Sequence, residues 1–168
     1  MTAALILTLG FDAESFARLD ADRGAHFPPD RNLIPAHLTL FHALPGEEIA
    51  AVTARLAEVT AATPPLRLRI SGLRFLGRGV AYEVEAPALR ALRATLTEGW
   101  RDWLKPQDRQ GWRPHVTVQN KVAPEHARAT LAGLQAGFAP WDATGEALLL
   151  WHYRGGPWEA AGTFPFRG

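Results

Sequence analysis

Arg113-Pro114-His115-Val116-Thr117-Val118-Gln119-Asn120-Lys121 has an echo 78 residues earlier, in Pro35-Ala36-His37-Leu38-Thr39-Leu40-Phe41. Both stretches contain His-x-Thr-x with an aliphatic residue at each x, and both have Pro one or two residues before the His. Strict alternation of polar and apolar residues over four positions predicts a half-buried strand. Side chains two apart on a strand share a face, so each motif turns an imidazole and a hydroxyl the same way. Leu38 and Leu40, or Val116 and Val118, then anchor the opposite face in a core.

Two such strands side by side would gather two imidazoles and two hydroxyls around one small anionic group. Imidazole can donate or accept a proton near neutral pH, so two of them can divide the work of a general base and a general acid. Threonine hydroxyls can donate hydrogen bonds to phosphate oxygens without adding charge. One His-x-Thr alone is usually ordinary sheet sequence. Thr supplies 12 of 168 residues, so two hits among six His, both with aliphatic spacers, should arise by chance in about one chain per hundred or fewer. The pair carries a signal that either half lacks.

The segments around the motifs predict an α+β chain. Leu5, Leu7 and Leu9 open a strand that Ile6 makes apolar on both faces, and Asp12 suits the N-cap of a following helix. Gly24 to Pro35 reads as a loop delivering the chain to the first motif. His42, five positions beyond His37, should face away from the motif side chains on a continuing strand and pack at the core or rim. Ile49, Val52, Leu56 and Val59 recur at helical spacing, and Thr63-Pro64-Pro65 stops that helix. Leu66, Leu68 and Ile70 alternate as a strand, Gly72 shifts the phase as a bulge would, and Gly77-Arg78-Gly79 turns into Val80, Tyr82 and Val84. Helices are expected from Pro87 and Pro124, with closing strands over 148–153 and 159–166.

The order strand, helix, His-strand, helix, strand thus occurs twice, followed by a final strand. It predicts a single domain, residues 1–168, of two pseudo-symmetric lobes interleaved in sequence. Each lobe would be a mostly antiparallel sheet with the His-strand central and helices on the outer face, because the apolar helix stripes need a sheet to cover.

Paired His-x-Thr-x strands about eighty residues apart in a chain this short resemble the 2H phosphoesterases, nearest to the bacterial 2'-5' RNA ligase / 2',3'-cyclic phosphodiesterase group. The resemblance implies the same two-lobed fold, with a central groove between the lobes holding His37, Thr39, His115 and Thr117. It implies opening of a 2',3'-cyclic phosphate on an RNA terminus or a cyclic nucleotide to a 2'-phosphate, with 2'-5' ligation as the reverse reaction. The symmetry of the two motifs does not distinguish acid from base. The resemblance makes His115 the base for the incoming nucleophile and His37 the acid for the 3' oxygen. Family members often carry a basic residue after the second motif, where this chain offers Gln119, Asn120 and Lys121. Gln119 and Lys121 are in phase with His115 and Thr117, and Arg113 shares that phase on the other side, so all three are candidate phosphate contacts.

Composition narrows the alternatives. The chain has no Cys, which removes disulfides and thiolate chemistry, and no apolar run long enough to span a membrane. A cytoplasmic monomer without cofactor is expected. Net charge is only +1, yet residues 67 to 113 carry nine Arg and one Lys against five acids, which suits a small anionic ligand. No His-Glu-x-x-His and no third metal ligand at a recognisable spacing is present, and no Gly-x-Ser-x-Gly elbow. The rival on the same residues is a non-catalytic RNA- or nucleotide-phosphate-binding module. Two intact proton-transfer groups favour catalysis over binding alone.

Overall fold

The computed structural model describes residues 2–168. In chain order it runs β1 (Ala4–Phe11), α1 (Ala13–His26), β2 (Thr39–Leu44), α2 (Ile49–Ala61), β3 (Leu66–Phe75), β4 (Val80–Glu85), α3 (Pro87–Trp100), α4 (Pro106–Arg109), β5 (His115–Gln119), α5 (Pro124–Ala136), β6 (Trp141–Tyr153) and β7 (Glu159–Pro165). Local chemistry sets most boundaries. Asp12 caps α1 by accepting a hydrogen bond from Ser15 N at 3.0 Å. Proline occupies the first turn of α3, α4 and α5, where its missing N–H costs nothing. The phase slip at Gly72 is a register shift between Ile70 and Gly72 in the β3–β4 pair, and Gly77 turns that hairpin with φ 86°. Helix α1 runs past Gly24 to His26, two residues further than the glycine suggests.

The strands form a sheet in the order β2-β1-β6-β3-β4-β5, all pairs antiparallel, with β7 added alongside β6. Its halves correspond: β1 lies between β2 and β6, and β4 lies between β5 and β3. The third strand of each half therefore pairs with the first strand of the other. The halves join where Leu66–Ile70 of β3 pairs with Trp141–Gly145 of β6. Leu5, Leu7, Leu38, Leu40, Phe41, Leu56, Ile70, Leu89, Leu96 and Val116 are fully enclosed. Each buried side chain of this size contributes about 1.5–3 kcal/mol relative to exposure.

The His-strands are not central, as the sequence reading expects, but stand at the two ends of the sheet. Side chains replace the missing neighbours. Along β2, the Asp108 carboxylate accepts from His42 N and Ala43 N, Arg93 donates to Leu40 O at 2.8 Å, and Trp112 Nε1 donates to Thr39 O at 3.0 Å. Along β5, Arg23 donates to Thr117 O at 2.9 Å. Backbone groups on a buried edge must be paired, and here each is paired from the opposite half. Arg23 on α1 holds the second motif, while Arg93 on α3 holds the first. These reciprocal bonds tie each end of the sheet to a helix of the opposite half.

Candidate active site

Every motif side chain, His37, Thr39, His115 and Thr117, is half-buried and alternates with enclosed Leu38 and Leu40, or Val116 and Val118, although His37 and Leu38 lie just ahead of β2. The two imidazoles are held alike. His37 Nδ1 lies 3.0 Å from Pro35 O, and His115 Nδ1 lies 2.9 Å from Arg113 O. A carbonyl oxygen only accepts, so both rings carry their proton on Nδ1 and leave Nε2 free to take one from a ligand.

Burial pushes the His37 pKa down to about 4, with the charges of Arg23, His115 and His42 adding to it and the bond to Pro35 O opposing. Burial also lowers His115, opposed by its bond to Arg113 O; Arg74 and His42 lower it further, and Glu83 works the other way. His115 thus acts on His37 from the other end of the sheet. The His37 ring also stands edge-on to Trp158, centroids 4.7 Å apart. Beside it opens a cavity of about 470 Å³ lined by Phe11, Phe16, Leu33, Trp151 and Trp158, with Glu146 at its edge.

Three further candidates fare differently. Arg113 is exposed and paired to Glu83 at 2.8 Å; Glu83 also faces Arg74 at 3.2 Å, so the Arg113 guanidinium is tied at the rim beside His115. Lys121 is exposed just past the end of β5, with φ 64° and its N–H bonded to Asn120 Oδ1. Gln119 is a correction. It is wholly buried, and its amide donates to Thr130 Oγ1 at 2.8 Å. Ala81 pairs with Thr117 but Val80 with Gln119, so β5 bulges at Val118 and turns Gln119 into the core. Gly79 lies against the Gln119 carbonyl so closely that a Cβ there would collide with it.

A matching bulge corrects the expectation for His42. Thr8 pairs with Thr39 but Leu7 with Phe41, so Leu40 is an extra residue in β2, with a second slip between Phe41 and Leu44, and Leu40 and Phe41 are both enclosed. The phase shifts by one, and His42 returns to the side of His37 and Thr39. Its charge acts on both motif imidazoles. Its Nδ1 lies 3.0 Å from Asp108 Oδ1. Neither His42 nor Asp108 is legible as a site residue in the sequence, because nothing in Leu40-Phe41 announces a bulge. Nor does the sequence mark Arg23 or Arg93. Among the described residues, no three His, Asp or Glu gather as a metal-ligand set, and no helix is long and apolar enough to cross a membrane.

An antiparallel α+β sheet with a His-x-Thr-x motif at each end is the pattern expected of a 2H phosphoesterase. The chain belongs to the 2'-5' RNA ligase superfamily, whose family model matches residues 11–157. Solved structures agree on the fold. TT0787 of Thermus thermophilus superposes with a TM-score of 0.71 at 20% identity over 98% of both chains. Escherichia coli LigT complexed with 3'-AMP gives 0.65 at 17% identity over 100% of both, and LigT complexed with phosphate gives 0.61 at 16% over 99% of both. No curated protein matches the chain by sequence.

Proposed function

We propose that this chain is a metal-independent phosphodiesterase opening 2',3'-cyclic phosphates of RNA ends or nucleotides to 2'-phosphates. The observation that carries the reading is the matched pair of rings, each with Nδ1–H committed to the carbonyl two residues upstream and Nε2 free. In the reaction one Nε2 takes a proton from water as its oxygen attacks phosphorus. The bond to the 3' oxygen breaks, and the other ring, protonated, returns a proton to that oxygen. The Thr39 and Thr117 hydroxyls donate to the non-bridging oxygens as charge builds on them. Each proton transfer contributes on the order of 10² to 10⁴ in rate. With a 5'-hydroxyl end attacking in place of water, the same groups support 2'-5' ligation.

The family resemblance makes His115 the base and His37 the acid. Both rings are held below their ordinary value by burial, His37 to about 4, so His37 is neutral at pH 7 with an open lone pair. For His37 to act as acid it must gain its proton together with the anionic substrate. The aromatic cavity beside His37 suits the nucleoside part of a nucleotide, being within the ~300–1,000 Å³ of small-ligand sites. LigT, of related fold, is known in complex with 3'-AMP.

The test is hydrolysis of nucleoside 2',3'-cyclic phosphates in EDTA, with the product isomer identified by NMR. Wild type should give the 2'-phosphate, and His37→Ala or His115→Ala should each lower kcat at least about 100-fold while remaining folded. Nucleotide binding without product over hours would instead identify a binding module. Two variants with wild-type rates would remove both histidines from the chemistry.

A further inference from the structure

The mechanism above leaves one groove side chain unused. His42 is half in and half out of the protein: its side chain is 40% exposed, while its partner Asp108 is 1% exposed. Asp108 accepts from His42 N at 2.8 Å and Ala43 N at 3.0 Å, which satisfies the edge of β2 whatever residue stands at position 42. The bond from the ring is additional. An ionised carboxylate only accepts, so Nδ1 of His42 carries the proton and Nε2 is the atom turned outward. Asp108 is in turn fixed, since its own carbonyl accepts from Arg93 at 3.0 Å. A buried carboxylate that aims an imidazole into a cleft is the arrangement by which proteins hold a ring ready for a ligand.

The reacting phosphate already has two imidazoles and two hydroxyls. His42 stands one groove-facing step past Thr39 on β2, roughly 6–7 Å further along the strand. That is too far for the same oxygens, since hydrogen bonds end near ~3.2 Å. It matches an anion one sugar removed. We propose that His42, aimed by Asp108, binds a second phosphate of the substrate, the one on the 5' side of the nucleotide whose cyclic phosphate is opened. This rests on the hydrolytic reading above and sharpens its substrate class. The preferred substrates are cyclic-phosphate ends bearing a neighbouring phosphodiester or 5'-phosphate, above bare nucleoside cyclic phosphates. No covalent step is assigned to His42. With the anion bound, its Nε2 shares a proton with the phosphate oxygen in a charge-assisted hydrogen bond.

The experiment measures equilibrium binding of adenosine 2'-monophosphate and adenosine 2',5'-bisphosphate by calorimetry at one ionic strength. Wild type should bind the bisphosphate about tenfold or more tightly, and His42→Ala should bring the ratio to within about twofold of unity. His42→Gln keeps a polar reach without charge and should also lose most of the preference. Both variants retain the Asp108 bonds to backbone, and circular dichroism checks their fold. A wild-type ratio near unity, or a ratio unchanged in His42→Ala, overturns the proposal. The same ratio is then read in kcat/KM for adenosine 2',3'-cyclic phosphate with and without a 5'-phosphate. If neither cyclic compound is opened, the hydrolytic reading fails while the binding ratio still decides the role of His42.

Discussion

Replacing Asp108 by Ala tests whether one buried carboxylate does the work of a missing strand. It removes the acceptor for His42 N, Ala43 N and the His42 ring, which lie at 2.8–3.0 Å. Hydrogen bonds to a charged group contribute about 1.5–3 kcal/mol each, and an orphaned buried N–H costs about 1–3 kcal/mol. Water can reach the outer part of this site through the exposed His42 side, so the low end of each range applies. Counting about 1 kcal/mol for each of the two orphaned backbone N–H groups and about 1.5 kcal/mol for the ring bond gives a loss of about 3–4 kcal/mol, a large part of the ~5–15 kcal/mol that holds a domain folded. Asp108→Asn retains one accepting oxygen and should lose about half as much.

The assay for Asp108 is urea denaturation at pH 7, reading the midpoint at constant m-value. Acid provides a second readout. Although burial alone would raise it, the bonds from His42 and Ala43 hold the Asp108 carboxyl below its ordinary range. A carboxylate depressed in the folded state stabilises above its unfolded pKa, and that contribution disappears as pH falls through the folded value. The gap between wild type and Asp108→Asn should therefore close below about pH 4. A loss under about 1 kcal/mol for Asp108→Ala at pH 7, or a gap that widens in acid, would refute this account of the β2 edge.

Three other perturbations have defined outcomes. The unfolded His37 ring binds a proton near its ordinary pKa while the folded ring stays neutral to about 4, so stability falls as pH drops between those values; denaturation midpoints of His37→Gln should decline less across that window. Arg23→Met leaves Thr117 O and Asn32 Oδ1 without their donor and removes a charge that lowers His37. It should cost about 2–4 kcal/mol by urea denaturation, and the His37 NMR titration should move up toward the ordinary imidazole value. Trp158→Ala opens the cavity wall beside His37 and should raise KM for a cyclic nucleotide about fivefold or more, while leaving inorganic phosphate binding nearly unaltered in the same calorimetric format.

The deepest difference between the sequence reading and the structure lies within two dipeptides. Leu40-Phe41 and Val118-Gln119 follow their histidines by the same interval, and in each strand an extra residue turns both members inward. An ideal strand places Gln119 in the groove and His42 outside it. The bulges exchange those fates. A bulge is a property of the pairing between two strands, fixed by partners distant in sequence such as Thr8 and Ala81, and so it leaves little trace in the bulged segment itself.

What the sequence alone determined was what local periodicity and short-range chemistry control. Most elements and their order, the Asp12 cap and the slip at Gly72 follow from residues within a few positions of one another, whereas α4 and the Trp141–Gly145 part of β6 do not. Tertiary structure decided which strands became ends of the sheet, which arginines crossed from one half to pair the other's backbone, and that Asp108 aims His42. Those outcomes come from burial: once an edge carbonyl or N–H leaves water it must find a partner, and here that partner is one the folded chain brings near, 94 residues away for Arg23 and Thr117.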